Sequence, residues 1–455
     1  MTRLSTSKGT KSMHISFQDI PPPRPLTLTR HSSSSSGVSE EPTSSASNAS
    51  AYSDLSDDTV ATTPPSSPPL RPITTKRTNR HGPVDIILGT ATFGDPRAAQ
   101  AKISDPATAK DIVEKLLSYG YTNIDTARAY PVGRGGTSEL LLGQLTSSIK
   151  SRVSISSKVT SFLPGAHRPA NLIRSIDASL SALGVSSVDI LYLHSPDRST
   201  SLEETLSAMN EAHEAGKFCR LGLSNYTREE VELVCLICEQ YNFVRPSVYQ
   251  GMYNPLCRDV EIPSGPGEES LLDVLRRNGI SFHAYSPSAA GFFNLTLPSS
   301  SLSSSSHSPS PARPQSSTHR FDPSTPLGSL YHNQYFHPYL FRAASKIRSI
   351  ASSTSSTSSS SSSSSSLSTS KHSSPISAHD LALRWTIFHS ALDPTKGDAV
   401  VIGVSSLNQL EENLRGVKER GELDEEMLRE VEVVSEQVLR MVIEGKGEGG
   451  PRCCF

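Results

Sequence analysis

From Val84 onward the chain alternates between short apolar runs and amphipathic segments, and no other feature restricts its folding so severely. Val84–Leu88 reads as a strand, and Asn123–Asp125, Val153–Lys158, Val188–His194, Phe218–Ser224, Ser247–Gln250, Ser281–Tyr285 and Ala399–Gly403 follow it. Between them apolar residues recur at helical spacing. Ala109, Ile112, Val113, Leu116 and Leu117 precede a stop at Gly120, and Leu172, Ile173, Ile176, Leu180 and Leu183 precede Gly184. Ser201-Leu202-Glu203-Glu204 has the pattern of a capping box opening a helix that stops at Gly216. Thr227-Arg228-Glu229-Glu230 caps another, running to about Tyr241, and further helices are expected at Leu140–Leu142, Leu271–Arg277, Leu381–Ile387 and Leu407–Val417. Strands alternating with helices build parallel sheets. Eight such units make a closed (β/α)8 barrel, the TIM-barrel form of the α/β class, the leading expectation; an open doubly wound sheet is the alternative. The first strand has a second reading, as part of a hairpin plugging the barrel floor, with the eighth strand elsewhere.

Several segments break this rhythm and cannot bury a core. Residues 1–80, rich in Ser, Thr, Arg and Pro, read as a disordered tail. Stretches at about 297–318 and 352–374, Ser/Pro-rich and nearly pure Ser respectively, read as solvated loop insertions, and 446–455 as a flexible end. They hold the hydrophobic content down to 35%. Without them roughly 320 residues remain for a barrel within 81–445. A net charge of −2 on 455 residues gives no electrostatic case for nucleic acid, and no apolar run is long enough to span a membrane. The opening residues lack the apolar core of a secretory signal, which points to the cytoplasm. Their basic and hydroxyl side chains leave mitochondrial import as the lesser alternative. Six cysteines have no disulfide-scaffold spacing. Cys235-x-x-Cys238 lies within a helical pattern and reads as a pair of buried thiols. Cys453-Cys454-Phe455 does not put a cysteine fourth from the end, as prenylation requires.

Three successive strands end on ionisable side chains, Asp125, Lys158 and His194, and Tyr130 lies five residues past Asp125 on the following loop. An aspartate and a tyrosine at that spacing mean little alone, since a helix cap and a surface phenol would look the same. Barrels, however, build their active sites at the carboxyl ends of strands. A carboxylate, a phenol, an ammonium and an imidazole along one rim are the equipment for moving a proton.

The motifs I-D-T-A-x-x-Y, S-S-K, L-Y-L-H, G-L-S-N-Y, Y-Q-G-M-Y-N and G-V-S-S-L-x-Q-L-E-E-N occur in this order between Ile124 and Asn413. Together they resemble the aldo-keto reductase superfamily, most of all its aflatoxin-aldehyde reductase branch, over about Val84 to Val442. The resemblance implies reduction of a small-molecule carbonyl to an alcohol, with a hydride delivered to carbon and a proton to oxygen. Tyr130 would be the proton donor. A free phenol has a pKa of about 10, so Lys158, fixed by Asp125, would ease its proton loss, and His194 would orient the substrate oxygen. No metal is expected. No G-x-G-x-x-G follows a strand, so the cofactor is not held in the Rossmann manner. The resemblance implies an extended NADPH across the barrel mouth. Ser224, Asn225 and Gln250 would meet its carboxamide, Tyr285 would stack on the nicotinamide, and Ser286 would open the pyrophosphate loop. Gly403, Ser405, Gln409, Glu412 and Asn413 would hold the adenosine phosphate, with backbone donors from a helix N-terminus.

The sequence departs from that branch at two places. The loop after Tyr285 carries no Gly-Lys pair before its serine tract, so Arg320 is the expected cation for a 2′-phosphate. Tyr331 and Gln334 are the expected substrate contacts, and Gln334 stands where the branch has an arginine that meets acidic substrates. A neutral amide cannot replace a bidentate guanidinium, which implies neutral aldehydes or ketones. A nucleotide-sensing barrel subunit, like the channel β-subunits of the superfamily, is the alternative function. A scaffold regulated by phosphorylation of its serine tracts is a third. A homodimer is left open.

Overall fold

Eight parallel strands close on themselves in the computed structural model, which describes residues 82–295 apart from 264 and 266, 319–353 and 376–444. The tail, both serine-rich insertions beyond residue 353 or before 319, and Cys453-Cys454 lie outside the described residues. Strand β1 (Asp85–Gly89) pairs in parallel with β2 (Asn123–Asp125) on one side and with β8 (Ala399–Gly403) on the other. That double pairing excludes both the floor hairpin and the open sheet. Strands β3 (Ser154–Val159), β4 (Val188–Leu193), β5 (Phe218–Ser224), β6 (Pro246–Met252) and β7 (Ser281–Tyr285) complete the barrel in chain order. Buried on both faces, parallel strands need nearly continuous apolar runs. Ile86, Ile87 and Leu88 of β1 and Val400, Val401 and Ile402 of β8 are all buried.

The outer layer follows from capping and periodicity. Helix α1 (Pro106–Ser118) starts where the Asp105 carboxylate accepts from Thr108 N at 2.8 Å. Helices α2 (Thr137–Gly143) and α3 (Ser147–Lys150) precede β3, and α4 (Pro169–Leu183) ends on Gly184 at φ 63°, a left-handed position that suits a residue without Cβ. Helices α5 (Leu202–Glu214), α6 (Arg228–Tyr241) and α7 (Leu271–Arg277) follow. Thr227 forms the complete capping box expected of it. At Ser201 only half forms: its hydroxyl accepts from Glu204 N, and Glu204 does not reach back. Cys235 and Cys238 are buried on α6, and burial pushes the Cys238 thiol up to about 12.

Besides α3, three further helices were not anticipated: α8 (Pro326–Tyr335), α9 (Pro338–Ser353) and α12 (Glu425–Ile443). Helices α8 and α9 stand between the two serine-rich stretches, so the second insertion begins after Ser353 rather than at Ser352. Helix α9 buries Leu340, Phe341, Ala344, Ile347 and Ile350 and packs against α10 (Ala378–Phe388) and α12. Helix α11 (Leu407–Arg415) follows β8. A buried clasp ties α10 and α12 to the loop after β6. Arg258, 6% exposed, pairs with Glu261 at 2.8 Å and Glu432 at 2.9 Å, and its guanidinium lies 5.2 Å from the Trp385 ring, whose indole N–H donates to Glu432 at 2.7 Å. No helix among the described residues is long and apolar enough to cross a membrane.

Candidate active site

The three strand-end groups and Tyr130, on the loop after β2, converge inside the carboxyl rim of the barrel. Asp125 closes β2 and Lys158 lies in β3, both buried. The Lys158 ammonium is ion-paired to Asp125 Oδ1 and donates to the Thr126 carbonyl at 3.0 Å. The other Asp125 oxygen accepts from Gln250 Nε2 at 2.9 Å, so the carboxylate is held from β3 and from β6. Lys158 Nζ lies 5.2 Å from the centroid of the Tyr130 ring. Immediately after β4, the His194 ring meets Tyr130 edge-on, with centroids 5.5 Å apart.

Burial dominates the electrostatics here. Desolvation lifts the Tyr130 phenol well above its ordinary value, with Asp125 and then Tyr331 adding to the rise. The phenol therefore stays protonated in the free protein and can act as a donor. Desolvation also lowers the Lys158 ammonium, although Asp125 opposes it. His194 is held neutral, its pKa pulled well down by burial and by the Lys158 charge. Its Nδ1 is buried without a partner among the described residues. A polar atom so placed is costly unless something completes it.

Around this centre lie the residues assigned to a cofactor. Asn225, at φ 62°, donates through Nδ2 to the His194 carbonyl at 2.9 Å and to Ser224 Oγ at 3.1 Å. Its Oδ1 accepts from the Tyr285 hydroxyl at 3.0 Å, which ties β5, β7 and the loop after β4 together. Gln250 has its amide nitrogen on Asp125 and also reaches the Tyr192 oxygen, which leaves its carbonyl side for a further partner. Ser286, at φ 53°, gives its carbonyl to Asn254 Nδ2 at 3.0 Å.

At the far end of the mouth, Gly403 ends β8 exposed, and nothing lies within 4 Å of where its Cβ would be. Ser405 gives both its amide and its hydroxyl to Gln409 Oε1, at 2.7 and 2.8 Å. Asn413 is buried and bonded at 3.0 Å to His379 Nε2 of α10, while Glu412 is exposed. Arg320 donates to the Ala290 carbonyl at 3.1 Å, and its charge reaches His379. So Arg320, His379 and Asn413 gather at one place, although they are far apart in the chain.

Helix α8 lies over the same rim, its Tyr335 hydroxyl 3.2 Å from the sulfur of Met252 at the end of β6. It brings Tyr331 within electrostatic reach of Tyr130 and buries Gln334, whose Oε1 has no partner. Sequence reasoning missed three neighbours. Glu139 is wholly buried beneath the site and accepts from Arg128 at 2.7 Å and Ser157 at 2.6 Å. Phe162 is 58% exposed yet packs edge-on to His194 at 4.8 Å, forming an apolar wall at the entrance. His379 is the third. Only the apolar pair Phe162-Leu163 at the end of a strand loop could have signalled its role in the sequence.

Comparison with known proteins gives the same answer from a different direction. The family model described as "Aldo/keto reductase family" matches residues 85–436. Oxidoreductase sirO of Leptosphaeria maculans is 34% identical over 350 residues, covering 76% of this chain and 92% of that protein. Aldo-keto reductase family 7 member A3 of Homo sapiens is 32% identical, covering 69% of this chain and 85% of its own length. Aflatoxin B1 aldehyde reductase member 2 of Mus musculus is also 32% identical, over 77% of this chain and 81% of its own. With eight parallel strands, the four converging side chains and a match across most of its length, the chain belongs to the aldo/keto reductase family.

Proposed function

We propose that the protein reduces neutral aldehydes and ketones to alcohols with NADPH, and that Tyr130 gives the proton. Membership of the family makes it an NAD(P)H-dependent oxidoreductase acting on small-molecule carbonyls; the choice of NADPH, the acid and the neutral substrate class are the further reading. The observation that carries it is the Lys158 ammonium, ion-paired to Asp125 and 5.2 Å from the Tyr130 ring centroid, with His194 edge-on to the same ring.

The bound nicotinamide would supply a hydride to the carbonyl carbon. What the chain supplies is the rest. Neutral His194 offers an N–H to the carbonyl oxygen and fixes its direction. Tyr130, which keeps its proton in the free protein, passes it to that oxygen as negative charge develops there. Lys158 stabilises the phenolate left behind until solvent restores the proton, and Asp125, held by Gln250, keeps the ammonium in place. Ser224, Asn225, Gln250, Tyr285 and Ser286 would hold the nicotinamide end. The adenosine end fits an anion, because Gly403 leaves open space beside the N-terminus of α11. Gln409, Glu412 and Asn413 would line that end, with Arg320 as the cation for the 2′-phosphate. Gln334, buried with an unpartnered amide oxygen beside Tyr331 on α8, favours a neutral substrate.

The test is NADPH oxidation by the purified protein with 4-nitrobenzaldehyde and a panel of dicarbonyls. Tyr130→Phe is expected to lower kcat by about 10²–10⁴-fold while NADPH binding, read by fluorescence, persists. Tight NADPH binding by the wild type with no turnover across the panel would sink the reductase reading in favour of a nucleotide-sensing subunit.

A further inference from the structure

We propose that Tyr192 is a positioning residue for this reduction, presenting the Lys158 ammonium with a second aromatic face besides that of Tyr130. The proposal rests on the roles of Tyr130 and Lys158 given above. Lys158 Nζ lies 5.5 Å from the centroid of the Tyr192 ring, close to its 5.2 Å from that of Tyr130. The two residues are register partners on adjacent strands, so their side chains enter the barrel side by side. An ammonium shielded from water is drawn to the negative face of an aromatic ring. Desolvation is the largest influence on Lys158, and a second ring offsets it without adding a charge that would compete with Asp125.

The ring is built into place. Tyr192 is fully buried on β4, and its hydroxyl is 3.0 Å from Nδ1 of His283, across the barrel on β7. His283 is also buried, and burial together with the Arg220 charge draws its pKa down to about 3. It is therefore neutral through the working range, and its Nδ1 accepts from the phenol. On β5, Gly222 is the register partner of Tyr192, and a methyl group there would overlap the Tyr192 ring. The Gln250 amide that holds Asp125 also reaches the Tyr192 oxygen. Strands β4, β5, β6 and β7 thus each contribute to fixing one ring against one ammonium.

The variants that separate positioning from filling are Tyr192→Leu, Tyr192→Phe and Gly222→Ala, each checked for folding by circular dichroism. Tyr192→Leu and Gly222→Ala are expected to lower kcat by about ten- to a hundredfold while the carbonyl KM and NADPH binding stay within about threefold, because the loss is one of geometry at the proton donor. Tyr192→Phe keeps the ring and should restore kcat to within about threefold of wild type. A second reading needs no turnover. In protein labelled with 15N-lysine, the Lys158 ammonium resonance should be displaced by ring currents in wild type and Tyr192→Phe, and should return toward ordinary lysine in Tyr192→Leu. A folded Tyr192→Leu protein with wild-type kcat and an unmoved resonance overturns the proposal, as does a Phe variant as slow as the Leu variant. Failure of the reductase reading looks different: Tyr130→Phe then turns over normally or the wild type does not turn over at all. In that event the lysine resonance alone decides whether Tyr192 holds the ammonium.

Discussion

At Arg320 the proposed preference for NADPH over NADH rests on a single guanidinium. One of its donors is taken by the Ala290 carbonyl, and it lies beside the His379–Asn413 pair at the end of the mouth where Gly403 is open. On the proposed assignment, a phosphate monoester on the ribose would gain a charge-assisted bond there that a hydroxyl cannot match. Arg320→Ala is expected to raise the KM for NADPH about ten- to a hundredfold, the equivalent of roughly 1.5–3 kcal/mol for a hydrogen bond to a charged group, with little effect on NADH. Equal losses with both nucleotides would assign Arg320 to the loop rather than the phosphate. The charged members of the site were legible because each is an ionisable residue closing an apolar run, a pattern that burial alone gives no reason for. Their supports were not legible. Glu139 and Tyr192 lie inside segments whose pattern already reads as helix and strand, and nothing in a period of two or 3.6 distinguishes a side chain that supports the site from one that fills space. Their roles appear only when distant strands are brought into register.

Among the elements, α12 contributes nothing to the rim, yet the described fold depends on its clasp. Arg258 is nearly inaccessible and faces two carboxylates and an indole ring. Removing one partner from such a cluster leaves the others desolvated and unpaired, a loss of about 3–5 kcal/mol. Arg258→Ala should show that loss as a lower urea midpoint, with kcat per folded molecule unchanged; a shift worth under about 1 kcal/mol would mean the cluster is solvated. Arg258→Met combined with Glu261→Gln and Glu432→Gln should recover part of it, since none of the three substitutes leaves a bare charge. The same helices mark where sequence reading stopped. The eight strands and several capped helices were found, because caps and stops such as Thr227 and Gly184 are local chemistry, although α8 and α12 carry caps at Thr325 and Asp424 and were missed. Helix α9 also has a clear periodicity through Leu340, Ala344, Ile347 and Ala351, but it runs directly into serine, and the composition of the neighbouring stretch hid its pattern. Ser201 erred in the other direction. Its sequence fits a capping box, but the exposed Glu204 has water as an alternative partner and does not reach back.

For the whole molecule the decisive quantity is how many histidines are buried uncharged. Burial lowers His167 and His389 to about 4 and His283 to about 3, and it pulls His194 lower than its ordinary value as well. In the unfolded chain each titrates near 6.5. Below that pH the unfolded state takes up protons that the native state refuses, so stability falls as pH drops from about 6.5 toward about 4 and then levels off for these groups. Each contributes on the order of 2 kcal/mol of loss between pH 6.5 and 5. Asp197 acts in a separate, lower window. Burial would raise its pKa, but bonds from Ser199, the His167 amide and Thr200 outweigh that and hold it well below the usual carboxylate range. The stability it provides is present above about 4 and is lost only below that pH. The urea midpoint should therefore decline steeply between pH 7 and 5, before carboxylates protonate, and His167→Gln should flatten part of that slope. A midpoint constant over this range would mean that these histidines find water or a proton in the native state. One of these histidines also borders the active rim. His167 is 2.7 Å from Ser161 Oγ, and the next residue, Phe162, rests against His194. Because His167 stays uncharged in the native state down to about pH 4, its protonation accompanies unfolding rather than preceding it, and activity with bulky apolar carbonyls should fall together with the urea midpoint.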